Sequence, residues 1–311
     1  MPANEAQPGP KGRANKKAAA AAVPSDKKEL KILMLHGYTQ SGPLFSSKTK
    51  ALLKLLTKAL SGPAPLNLAP RLIFPTGPHR LRAQDIPGFE PSSSTIDEEE
   101  EESDNWGWWR KDEATGAYVG LAEGMRSVAA AIREGEGIDG VLGFSQGGCL
   151  AALVAAALET PYRVPPPGCP SPEQKGVPGE EADWSWVKEL RAANGHKPLR
   201  FCVVYSGFWA PVAGLQWLYD GGAAGEGEGE SGGKGKINTP TLHFIGSLDS
   251  VVEESRSQAL IDRCRDPAVA VHSGGHYVPV ARDRVMPLVG FLRQVLLKEQ
   301  EGKEKEEAEK L

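Results

Sequence analysis

Two stretches of the chain set a serine between glycines in the pattern G-x-S-x-G: GFSQG at residues 143–147 and GESGG at residues 229–233. A serine hydroxyl is scarcely ionised at neutral pH, so it attacks a carbonyl carbon only when a positioned base takes its proton. The chemistry in question is acyl transfer through a covalent intermediate. It requires a base, a group that orients the base, and donors for the oxyanion that develops.

Context separates the two serines. Ser145 follows the apolar run GVLGF and precedes QGGCLAALVAAALE, a run of small residues that reads as a helix. It therefore stands at a sharp strand-to-helix turn, where a nucleophile takes strained backbone angles and neighbouring side chains would collide. Gly143, Gly147 and Gly148 relieve that crowding. Ser231 lies in the tract YDGGAAGEGEGESGGKGK, with no strand before it and no helix after it to fix its hydroxyl. Ser145 is the candidate nucleophile.

Histidine is the usual base, and six are present. His36 ends the first apolar run, His79 lies in an irregular stretch, His196 in a polar loop, and His243 and His272 in strand patterns. Only His276 follows a strand within a loop, SGGHYVP. Loops at the carboxyl ends of parallel strands converge on one edge of a sheet, so His276 can reach Ser145. The imidazole then needs a carboxylate from the end of another strand, and Asp249 in LHFIGSLDSVV meets that demand. Its rivals are misplaced: Asp139 precedes the nucleophile strand, Asp220 opens the Gly/Glu tract, and Asp262, Asp266 and Asp283 sit in or beside helices. For the oxyanion, the backbone N–H of Gln146 follows the nucleophile, and that of Tyr38 lies in LHGYTQSG after the first strand.

The elements that must hold these groups are legible as an alternation. LKILMLHG and RLIFP read as strands flanking a helix at residues 44–60, where Leu52, Leu55, Leu56 and Ala59 form one stripe. Residues 77–118 form an irregular excursion. A helix follows with Leu121, Met125, Val128, Ala129 and Ile132 on one face, then the nucleophile strand and helix. The strands LRFCVVYS, PTLHFIG and AVAVH come next, and a last helix near residues 284–299. Such alternation requires crossover connections, and hence a mainly parallel sheet with helices on both faces, the α/β class. The expected organisation is a disordered basic arm at 1–28, one domain at 29–299 with inserts near 77–118, 163–182 and 220–236, and a charged tail at 300–311.

Composition excludes other functions. A net charge of −4 gives no field for nucleic acid. The four cysteines form no C-x-x-C pair, which suits a reducing compartment and no zinc ribbon. No stretch approaches the roughly 18–20 apolar residues of a membrane span, so a cytosolic location is expected, or a nuclear one if the basic cluster KGRANKK acts as a signal. The acidic run DEEEEESD has no histidine at ligand spacing, so neither metal nor cofactor is expected. Among the aromatics, Trp108, Trp109 and Phe208 are candidates to line an apolar acyl slot; equally, such residues would anchor a long loop to the core.

Taken together, KILMLHGYTQSG, GFSQGG, YSGF, IGSLDSVV and GGHYVP, in that order, resemble the fungal family of serine hydrolases and the ovarian-cancer-gene-2-like serine hydrolases of the α/β-hydrolase superfamily. The resemblance implies the α/β-hydrolase fold, with Ser145 as nucleophile, His276 as base and Asp249 as orienting acid. It also implies a substrate that is a small acyl ester or thioester, carrier-bound acyl chains included. Two other readings keep the same residues: a ligand receptor that lost turnover, and an acyltransferase or carbon–carbon bond hydrolase.

Overall fold

The computed structural model describes residues 27–62, 66–82, 85–86, 104–173, 182–220 and 235–310. The basic arm up to residue 26, most of the acidic run, Ser231 and the middles of the later two inserts lie outside the described residues.

In chain order the strands are β1 (Lys28–Leu35), β2 (Leu68–Ile73), four two-residue strands β3 (His79–Arg80), β4 (Trp106–Gly107), β5 (Arg110–Lys111) and β6 (Tyr118–Val119), then β7 (Gly140–Phe144), β8 (Phe201–Tyr205), β9 (Thr241–Gly246) and β10 (Ala268–His272). The helices are α1 (Gly42–Leu60), α2 (Leu121–Glu134), α3 (Gln146–Leu158), α4 (Ser185–Ala193), α5 (Gln216–Asp220), α6 (Glu254–Ile261) and α7 (Arg282–Glu309).

Six strands form one sheet in the order β10-β9-β8-β7-β1-β2, and every neighbouring pair is parallel. The chain leaves β1 outward to β2, then crosses back to β7 on the other side. β1 and β7 therefore flank the point where strand order reverses, and loops at their carboxyl ends splay apart to leave a crevice. The loop holding Tyr38 follows β1, and Ser145 follows β7.

Strand side chains alternate between two cores, as a period of two dictates. Leu33, Leu35, Val141, Cys202 and Val204 pack beneath α2, α3 and α4. Leu30, Ile32, Met34, Leu142, Phe144 and Val203 pack beneath α1 and α7. Helix α3 is buried along its whole length. Its run of alanines and glycines lets it lie close against the sheet with α4 and α5 above it.

Two features differ from the expectation. α7 continues through Glu309, past the expected end near residue 299, although its last nine residues are exposed. Helix-supporting charge pairs at i,i+4, such as Glu299 with Lys303 at 2.5 Å, carry it beyond the core. The excursion is also more ordered at its base than its sequence suggests, since β3 pairs with β4 and β5 with β6. Buried Arg163 pairs with Glu159 at 2.8 Å and donates to the carbonyls of Tyr219, Gly235 and Lys236. Glu159 in turn accepts from the amides of Asn238 and Thr239, so this pair clamps both feet of residues 221–234 together.

Candidate active site

Ser145 occupies the turn between β7 and α3 with φ 54° and ψ −117°, a conformation that costs an L-residue energy and persists only where surroundings enforce it. They do: its N–H donates to the Tyr205 carbonyl at 2.9 Å, and its own carbonyl accepts from Gly148 at 2.9 Å and Cys149 at 3.1 Å. The close approach of strand and helix demands glycine. A Cβ on Gly143 would stand 1.9 Å from the Gly147 carbonyl oxygen, and one on Gly147 would stand 2.2 Å from the Leu35 carbonyl oxygen.

The structure brings the three separated side chains together. His276 Nε2 lies 2.9 Å from Ser145 Oγ, and His276 Nδ1 lies 2.8 Å from Asp249 Oδ2. The other carboxylate oxygen accepts from the amides of Val251 at 3.0 Å and Val252 at 2.9 Å. Burial would raise the Asp249 pKa, but the Val252 amide and the His276 ring outweigh it and hold the carboxyl below its ordinary value. An ionised Asp249 fixes the imidazole proton on Nδ1, because a carboxylate only accepts. Nε2 is thereby left with its lone pair toward the serine hydroxyl. Phe144 supports the other side of the imidazole, with ring centroids 4.7 Å apart.

Gln146 begins α3, so its N–H has no intrahelical acceptor and lies at the positive end of the helix. Its side chain has a separate task. The carboxamide oxygen accepts from the Trp108 amide at 2.9 Å, and the carboxamide nitrogen donates to the Trp109 carbonyl at 2.8 Å. Tyr38 sits at the carboxyl end of β1, and its hydroxyl donates to the Asp85 carbonyl at 3.0 Å. The next residue, Thr39, has φ 64° and donates its N–H to the Trp106 carbonyl at 2.9 Å, which ties the β1 loop to the excursion.

Trp108 and Trp109 do not line an acyl slot. They are 0% and 2% exposed, members of the core above the sheet, and the Trp108 indole donates to the His36 carbonyl at 2.9 Å. They anchor the excursion. Phe208 is half-buried, with the Arg256 guanidinium 4.4 Å from its ring centre. An apolar cleft of about 290 Å³ does open beside His276, but its walls are Phe45, Phe144 and Val278. A larger cleft of about 1060 Å³ lies at the amino-terminal edge of the sheet beside α7, and none of the candidate site residues lines it.

Sequence reasoning passed over His36. Burial lowers its pKa to about 4, so the ring is neutral. Nδ1 donates to the Gly37 carbonyl at 2.8 Å, and Nε2 accepts from the Gly77 amide at 2.9 Å. The ring lies 4.8 Å from that of Trp108. His36 thus pins the loop that presents Tyr38. The only signal in the sequence was its place beside Gly37.

Among the described residues no group of three or more His, Cys, Asp or Glu could hold a metal ion, and no helix is long and apolar enough to cross a membrane.

A family profile described as Serine hydrolase (FSH1) matches residues 25–288. Esterase OVCA2 of Bos taurus is 30% identical over 85% of this chain and 96% of its own length. The chain spans about half the length of two Schizosaccharomyces pombe relatives: 50% of an uncharacterized hydrolase, 29% identical over 84% of this chain, and 44% of a protein named dihydrofolate reductase, 28% identical over 81%. Among solved structures, a variant of Arabidopsis thaliana SOBER1 aligns with a TM-score of 0.50 at 16% identity, over 86% of this chain and 100% of that one. The likeness is one of fold, and the fold is that of the α/β-hydrolases.

Proposed function

The chain belongs to the serine hydrolase (FSH1) family, and from that premise we propose that it cleaves carboxylic esters or thioesters through an acyl-enzyme on Ser145. The domain at residues 29–299 carries the reaction. His276 Nε2 takes the hydroxyl proton as Ser145 Oγ adds to the carbonyl carbon, and the carbonyl electron pair moves onto oxygen. The N–H groups of Gln146 and Tyr38 stabilise that oxyanion. Collapse reforms the carbonyl and expels the alcohol or thiol, which leaves with the proton from His276. Water then repeats the sequence: its proton passes to His276, its oxygen becomes the new acid, and Ser145 departs with the proton restored. Asp249 keeps the imidazole in the required tautomer and stabilises its charged form.

The observation that carries this reading is the unbroken chain from Ser145 Oγ through His276 to Asp249, with contacts of 2.9 Å and 2.8 Å, built on a strained turn. A carrier-bound thioester falls within the same chemistry as a free ester. A fluorophosphonate probe should label the protein at Ser145, and Ser145→Ala should abolish both labelling and turnover across a series of acyl esters and thioesters from acetate to dodecanoate. Asp249→Asn should keep the geometry yet lower kcat by about 10⁴-fold, as the wrong tautomer does in serine proteases. An unlabelled wild-type protein that turns over no ester or thioester would refute the proposal.

A further inference from the structure

We propose that the cleft beside His276 selects substrates bearing an anionic group, and that Lys48 is the residue that recognises it. This rests on the hydrolase reading above and names the substrate class of that site. Phe45, Lys48 and Thr49 share one face of α1 at spacings of three and four, and all three line the cleft. Phe45 and Thr49 are buried, while Lys48 is exposed at the mouth. A largely apolar cleft therefore runs from beside the His276 ring to an ammonium.

Among the described residues no carboxylate lines the cleft. Among the described residues Lys48 makes no ion pair, so its charge is unspent within them. Tyr277, on the opposite wall, accepts from the Arg284 guanidinium at 2.5 Å through its hydroxyl oxygen. The Arg284 cation thus stands behind that wall. A substrate with a carboxylate or phosphate at the end of an apolar chain would place its charge against Lys48.

The anion could sit on the acyl side or the leaving-group side of the scissile bond, and matched ester pairs distinguish them. p-Nitrophenyl hexanoate and the p-nitrophenyl monoester of adipic acid place it on the acyl side. Phenyl hexanoate and 3-carboxyphenyl hexanoate place it on the leaving group. In one of the two pairs kcat/KM should favour the anionic member by about tenfold, the scale of a partly exposed charge-assisted hydrogen bond. Lys48→Glu should lower the anionic-to-neutral ratio by at least about tenfold, Lys48→Arg should restore it, and added salt should shrink it. An unchanged ratio in both pairs would overturn the proposal and leave the hydrolase reading standing. Binding of monomethyl adipate to Ser145→Ala protein, followed by isothermal titration, gives a readout without turnover. Affinity lost with Lys48→Glu supports the anion site even if no ester is hydrolysed, and equal affinity overturns it.

Discussion

Acid should unfold this protein through two buried imidazoles well before its carboxylates titrate. His36 and His243 are 0% and 2% exposed, and burial lowers each pKa from 6.5 to about 4. Neither can accept a proton where it stands. Protonated, His36 Nε2 would turn an N–H against the Gly77 amide from which it now accepts. The Nε2 of His243 is buried with no partner among the described residues to receive a second hydrogen. Between the two pKa values the unfolded chain binds protons that the folded chain refuses, so stability rises with pH across that window and is lost as pH falls from 6.5 toward about 4. Integrating from about pH 7 to about pH 5 gives roughly 2 kcal/mol for each imidazole and about 4 kcal/mol for the pair, a large share of a typical ~5–15 kcal/mol. His272, whose pKa burial also lowers, acts in the same direction. Urea unfolding followed by tryptophan fluorescence, at about pH 7 and about pH 5, measures the difference as a midpoint shift of roughly 1–2 M. His243→Leu should recover close to half of it. A wild-type loss below about 1 kcal/mol, or an equally steep loss in His243→Leu, would refute the assignment of two refused protons.

Two further substitutions probe the scaffold. Gly143→Ala would drive a Cβ into the Gly147 carbonyl at 1.9 Å. Backbone cannot yield there as a side-chain tip would, so fluorophosphonate labelling should collapse with a stability loss of about 1–3 kcal/mol or more. Gly290→Ala on α7, whose Cβ meets nothing within 4 Å, is the control and should be neutral or stabilising in thermal unfolding. Arg163→Ala would strip Glu159 of its cation and three carbonyls of their donor, and should cost about 3–5 kcal/mol in urea unfolding. A loss within about 1 kcal/mol would show that the pair is not the clamp argued above.

The meeting of Ser145, His276 and Asp249 could be read from sequence because it follows from a rule that needs no distances. In a parallel sheet every strand delivers its following loop to the same edge, so residues 131 and 27 positions apart from His276 meet there through topology alone. Ser145, Asp249 and His276 each come directly after an apolar strand, and a serine between close-set glycines marks the tight turn. The strand pattern sufficed because each central strand is apolar on both faces, as a sheet covered twice requires.

The tryptophans had no such rule. An indole on a loop faces solvent or core according to what else arrives beside it, and the partners of Trp108 come from far along the chain: the His36 carbonyl 72 residues away and the Gln146 carboxamide 38 residues away. Nothing local encodes either contact. Gln146 itself was read only through its backbone, because a nucleophile's neighbour is known to donate there, while its side chain was free to do anything. What emerges is that one residue serves both ends of the site. Its N–H opens α3 beside Ser145, and its carboxamide fastens the excursion whose Trp106 carbonyl holds the β1 loop through Thr39. With Trp108 and Trp109 spent on that fastening, the open cleft beside His276 lies on the other face of the turn at Ser145. There the ring of Phe144 turns toward Phe45 and His276, and α1, not the excursion, supplies the wall. The face of α1 was legible from its apolar spacing, but its relation to the nucleophile was not, because helix and turn meet across the sheet edge with 97 residues between Lys48 and Ser145.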